Sequence, residues 1–161
     1  GMAELVQARI DLDNGNVGCW ILGSAKYEGA LKNLINNSQS STKIEFLGFI
    51  DNPSSYLTAA DWHIVPSTYN EPLGNVVQEA KAAGTPSIIS PKGGLPELIQ
   101  HDKDGLILEE VTSDQIRATI LYLLDHQEEW KPFGIRAKES LSTLFPPEQF
   151  DNKWREIFEQ F

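Results

Sequence analysis

Ser67-Thr68-Tyr69-Asn70-Glu71-Pro72-Leu73-Gly74-Asn75-Val76-Val77-Gln78-Glu79-Ala80 is the stretch whose reading decides the fold. It follows the apolar run Ile64-Val65-Pro66, turns through polar residues and Pro72, and then becomes a helix that Gly84 stops after Ala83. A strand, a tight loop and a helix start therefore stand in succession. Gly74 permits close approach of backbone to a ligand. A helix N-terminus fed by such a loop presents unpaired N–H groups and the positive end of a dipole, which suits a phosphate or diphosphate. Glu71 and Glu79, on either side of Gly74, are then free to hold hydroxyl groups.

The same beat extends in both directions. Upstream, residues 3–10 predict a short helix, 17–23 a buried type of strand, Tyr27 to Ile35 a helix, 44–48 a strand and Asp51-Asn52-Pro53 the start of a short helix, before the strand over 62–66. Downstream come strands at Pro86 to Ser90 and Gly105 to Leu108, with a helix at Pro96 between them. Ser113-Asp114 reads as the cap of a long amphipathic helix, Trp130 as the start of another, and Phe145-Pro146-Pro147 as a break. The last segment carries Phe150, Trp154, Ile157, Phe158 and Phe161 on one stripe. Strand and helix in alternation predict an α/β, Rossmann-like domain: a parallel sheet with helices on both faces, single over residues 2–161.

Five short motifs carry a resemblance. Phe46-Leu47-Gly48-Phe49-Ile50, Ala59-Ala60-Asp61-Trp62-His63-Ile64-Val65-Pro66-Ser67, the pair Glu71 and Glu79 with seven residues between, Gly84-Thr85-Pro86-Ser87-Ile88-Ile89-Ser90, and Gly93-Gly94-Leu95-Pro96-Glu97 stand in order. Together they resemble the motifs of retaining glycosyltransferases of the GT-B fold, glycosyltransferase family 4 or group 1 type, in the C-terminal, donor-binding domain. The resemblance implies roles. Glu71 would set the donor sugar and Glu79 the ribose diol, since a carboxylate accepts two hydrogen bonds. Gly74, Asn75 and Val76 would offer amides to the diphosphate, Leu73 would close over the sugar, and Gly48, Phe49 and Ile50 would face the base. The implied ligand is a UDP- or GDP-linked sugar, and the implied acceptor is a carbohydrate or is lipid-linked, in polysaccharide or glycolipid synthesis.

Other residues have plainer readings beside these. Phe49 fills the core if it does not meet a base. Lys26 and Lys92 are the cations beside loops within reach of a phosphate, and both read first as surface lysines. His63 reads as a satisfied core histidine, His101 and His126 as helix-end residues. No His/Cys/Asp cluster has metal-ligand spacing, so no metal or other cofactor is expected.

With 161 residues and a net charge of −10, the chain is long enough for one core and repels nucleic acid and anionic lipid. The single cysteine, Cys19, excludes an internal disulfide and suits a reducing, cytoplasmic setting; the resemblance implies a complete enzyme that is peripheral at a membrane. No apolar run approaches the roughly 20 residues that cross a bilayer.

One element of the resembling fold is not in the pattern. Its sheet has the order 3-2-1-4-5-6, and the central first strand, with the cationic loop that clamps the diphosphate, has no counterpart among the five strand candidates. The chain thus reads as the donor half of a two-domain transferase, inactive alone, whose N-terminal GT-B domain is the missing partner. The terminal helix over 143–161 would pack toward that domain or on its own sheet. Direct pairing of the remaining strands, or a strand lent within a homodimer, would close the gap. Two rival readings are a non-catalytic nucleotide-sugar-binding or interaction module, and a relative of the nucleotide-sugar 2-epimerases.

Overall fold

The computed structural model describes residues 1–23, 27–144 and 146–159, without the side chains of residues 147–150. Lys26, Phe145 and Phe161, and the side chain of Phe150, lie outside the described residues. In chain order the elements are α1 (Met2–Leu12), β1 (Gly18–Leu22), α2 (Glu28–Asn37), β2 (Lys43–Gly48), α3 (Ser54–Ala59), β3 (His63–Val65) and α4 (Asn75–Ala83). Then follow β4 (Ser87–Ile89), a 3₁₀ turn (Leu95–Leu98), β5 (Gly105–Ile107), α5 (Ser113–Asp125), a 3₁₀ turn (Gln127–Glu129), α6 (Trp130–Leu144) and α7 (Pro147–Phe158). The expected α/β alternation is there, and every strand pairing is parallel.

β4 is the centre of the larger sheet, between β3 and β5. Its three residues are all buried, as a strand covered on both faces requires. Side chains alternate across a strand. Ile88 accordingly joins Leu5, Leu106, Leu108, Ile116 and Phe133, while Ile89 joins Val77, Leu95, Leu98 and Ile99 on the opposite face. Helices α1, α5 and α6 cover the first face and α4 the second.

β1 and β2 form a separate sheet, so among the described residues β1 and β3 are not paired. The break falls where the pattern lacks its central strand. Helix α1 spans it: Leu5 and Ala8 pack into the core under β4 and β5, and Val6 packs with Ile21 of β1 and Leu31 of α2. Arg9 on the same helix is 1% exposed and donates from Nη2 to the Val17 carbonyl, tying α1 to the start of β1.

Two expectations need correction. The cap of α5 is Thr112, whose Oγ1 accepts the Gln115 N–H at 3.2 Å, and not Ser113. Thr112 has extended backbone and so stands just outside the helix, where a side-chain oxygen reaches the first-turn amides. His101 is not at a helix end: it bridges to Gly105, and its Nδ1 accepts the Ile107 N–H at 2.9 Å. His126 does end a helix, as C-cap of α5.

Candidate donor-binding site

The loop between β3 and α4 ends on Gly74, the N-cap of α4, at φ 68° and ψ 53°. A side chain is excluded there twice over, by the left-handed backbone and because a Cβ would overlap Leu95 Cδ2. No side chain caps α4. Its first amides, at Asn75 and Val76, thus belong to the set that an α-helix leaves without internal partners, at the positive end of its dipole. Both residues are exposed.

A cleft of about 450 Å³ opens beside this helix start. Glu71, Leu73, Gly74, Asn75 and Val76 line it, together with Val65, Ser67, Tyr69 and Pro72. Five of the nine expected site residues are thereby brought together. Glu79 lies one turn further along α4 than Val76, and both are exposed, whereas Val77 and Ala80 are fully buried. Glu79 therefore bears no burial penalty, because its buried apolar neighbours point to the other side of the helix. Gly48, Phe49 and Ile50 stand at the C-terminal end of β2, in the smaller sheet, and do not line the cleft. Phe49 is 80% exposed, which removes the reading that it fills the core.

Tyr69 is the residue of this loop that the motif reading passed over. Interaction with the Glu71 carboxylate, hydrogen bonding first and charge second, raises its phenol pKa above the usual value, with Ser67 opposing. An isolated loop aromatic has no periodicity to mark it, so only its place two residues before Glu71 pointed to it. Lys92 is exposed, in the loop that leads to Gly93 and Gly94.

The interior holds α4 in place by a polar contact. Lys81 is completely buried, with Nζ 2.8 Å from Asp104 Oδ2 and 2.9 Å from Ser140 Oγ. Asp104 also accepts the Gln100 N–H at 2.7 Å. One ammonium thus ties α4 to the approach to β5 and to α6, with its charge paired and hydrogen-bonded as a buried charge requires. His63, as expected, is a core group: Nδ1 lies 3.0 Å from Ser87 Oγ, and desolvation lowers its pKa to about 4. Desolvation likewise pushes the Cys19 thiol up to about 11, so it is an unreactive thiol at neutral pH.

A second cleft, of about 460 Å³, lies among Ala60, Asp61, Gly84, Pro86, Trp130 and Lys138, at the entry to β3 and β4. None of the nine expected site residues lines it. Among the described residues no helix is long and apolar enough to cross a membrane.

Comparison with known proteins agrees with this architecture. The model of the family described as glycosyl transferases group 1 matches residues 1–140. An N-acetyl-alpha-D-glucosaminyl L-malate synthase from Bacillus anthracis is 31% identical over 125 residues, 78% of this chain and 32% of that protein. The lipopolysaccharide core biosynthesis glycosyltransferase LpsD of Rhizobium meliloti is 26% identical over 160 residues, 99% of this chain and 46% of that protein. Anabaena Alr3699/HepE, solved in complex with UDP and glucose, superposes over the whole chain with a TM-score of 0.88 at 22% identity, using 45% of its own length. The chain therefore spans between a third and a half of these relatives. Its two parallel sheets with flanking helices are those of the C-terminal domain of a GT-B glycosyltransferase, and the chain belongs to the group 1 glycosyltransferase family.

Proposed function

We propose that this chain is the donor-binding half of a retaining glycosyltransferase that moves a hexose-type sugar from a nucleotide diphosphate to a carbohydrate or lipid-linked acceptor. The observation that carries the reading is the uncapped start of α4, presented by left-handed Gly74 in one cleft with Glu71. When the glycosidic bond to the donor breaks, negative charge grows on the departing diphosphate. The amides of Asn75 and Val76 and the dipole of α4 meet that charge without reorganising, which is how fixed dipoles lower a barrier. Glu71 orients the sugar through its hydroxyls, Leu73 covers it, and Glu79 takes the ribose diol. Gly48, Phe49 and Ile50 meet the base from the other sheet. Attack comes from the face of the leaving group, assisted by its phosphate, without a covalent carboxylate intermediate. The similarly folded Anabaena HepE, solved with UDP and with UDP-glucose, favours uracil as the base.

The test is calorimetric titration of the chain with UDP, GDP and ADP, beside Glu79→Ala. Binding of UDP that weakens at least tenfold in Glu79→Ala supports the reading, since the variant loses a charged acceptor of two hydrogen bonds, each worth roughly 1.5–3 kcal/mol. Binding of none of the three at millimolar concentration, or no change in the variant, overturns it. Without an N-terminal domain the same preparation should turn over little or no UDP-sugar, and measurable turnover by the chain alone would show that acceptor and cationic groups are already within it.

A further inference from the structure

The segment after β4 lies against the Glu71 loop more closely than ordinary packing allows. The Gly94 N–H donates to the Glu71 carbonyl at 2.8 Å. Gly93 has φ 60°, and a Cβ on it would fall 2.6 Å from Glu71 N and overlap the Glu71 carbonyl oxygen. A Cβ on Gly94 would fall 2.5 Å from the Pro72 carbonyl oxygen. Backbone therefore rests directly on backbone, and no side chain fits at either position. The turn is itself anchored: Leu95 is fully buried in the core with Val77, Ile89, Leu98 and Ile99, and it fills the space beside Gly74. Tyr69, 64% exposed, lines the same cleft as Glu71, whose carboxylate raises the phenol's pKa.

We propose that the Gly93–Gly94 turn and Tyr69 are positioning residues for Glu71, the turn setting the backbone of its loop and the phenol setting the direction of its carboxylate. This rests on the donor-site reading. Glu71 addresses the sugar, whereas the start of α4 and Glu79 address the nucleotide. Displacing Glu71 must then weaken the sugar-bearing ligand and spare the nucleotide. A purely structural role for these residues would weaken both alike, or neither.

Titration of the wild-type chain, Tyr69→Phe and Gly94→Ala with UDP and UDP-glucose reads the difference. Tyr69→Phe removes one hydroxyl from an exposed ring, so its melting temperature should match that of the wild type. Its UDP affinity should stay within about twofold, while UDP-glucose weakens roughly fivefold, the usual worth of one hydrogen bond. Gly94→Ala should show the same split, and larger. Parallel losses for both ligands, or no loss for either, overturn the proposal. A wild-type chain that binds neither ligand sinks the donor-site reading instead, and positioning is then decided by ultraviolet titration of the tyrosinate. The Tyr69 phenol, isolated as the difference between wild type and Tyr69→Phe, must titrate lower in Glu71→Gln and in Gly94→Ala. An unchanged titration overturns the proposal.

Discussion

His63 and Lys81 each bring an ionisable side chain inside, and each avoids an unpaired charge by a different route. Lys81 keeps a partner in Asp104. His63 has only the Ser87 hydroxyl and stays neutral, with a pKa near 4 against the usual 6.5. The sign follows from proton counts. Between those two values the unfolded chain binds a proton that the folded chain refuses, so stability is full above pH 6.5 and declines as pH falls toward 4. The loss attributable to this one group reaches about 3 kcal/mol at most. Thermal melts at pH 7.5 and pH 5 should therefore differ less in His63→Asn, whose amide can still reach Ser87, than in the wild type; equal differences would show that His63 does not carry the dependence. His63 was legible as a core histidine because it interrupts an apolar strand. Lys81 was not, because Glu79-Ala80-Lys81-Ala82 looks like a solvated turn of helix and its partner Asp104 is 23 residues away. Tyr69 and the Gly93–Gly94 turn were likewise on the page as letters, but a contact between residues 71 and 94 is a fact of three dimensions.

Elements were legible to within a residue or two wherever a local rule places their ends. Gly84 was expected to stop α4 and does, in left-handed conformation at φ 81°. Trp130 was expected to start α6 and does, with Pro132 in the first turn, where a missing N–H costs no helical bond. The start of α5 shows where such rules become degenerate. Thr112, Ser113 and Asp114 are all good cap residues, and only the backbone decides among them: Thr112 is extended, with φ −123° and ψ 156°, and Ser113 is already helical. The capping bond from the Gln115 N–H belongs to Thr112 alone. Thr112→Ala should consequently cost about 1 kcal/mol of stability in a denaturant melt, and Ser113→Ala less than about 0.5 kcal/mol. Equal costs, or a larger one at Ser113, would place the cap where the sequence pattern first suggests it.

For the whole molecule, strand and helix in alternation were enough to expect a parallel sheet covered on both faces, because a parallel connection needs a crossover. How the strands divide was not a local property. β4 has a parallel neighbour on each side and is fully buried, whereas among the described residues β1 pairs only with β2, and it shows an exposed or half-buried face at all its positions except Ile21. The two sheets are joined through α1, whose Val6 belongs to one core and whose Leu5 and Ala8 belong to the other, and through Cys19 of β1 and Tyr56 of α3, which packs edge-on against Trp20. Cooperativity across the break then depends on side-chain packing, with α1 spanning both cores, rather than on a continuous ladder of hydrogen bonds. Strands with fewer buried contacts and a free edge open at lower free energy than those inside a covered sheet. Native-state hydrogen exchange should therefore show the β1 and β2 amides exchanging at least tenfold faster than those of Ile88 and Ile89, a gap of about 1.4 kcal/mol in opening free energy. Val6→Ala, which thins the link on the β1 side alone, should widen that gap. Equal protection throughout, or a uniform response to Val6→Ala, would mean that α1 couples the two sheets into one cooperative unit despite the break between β1 and β3.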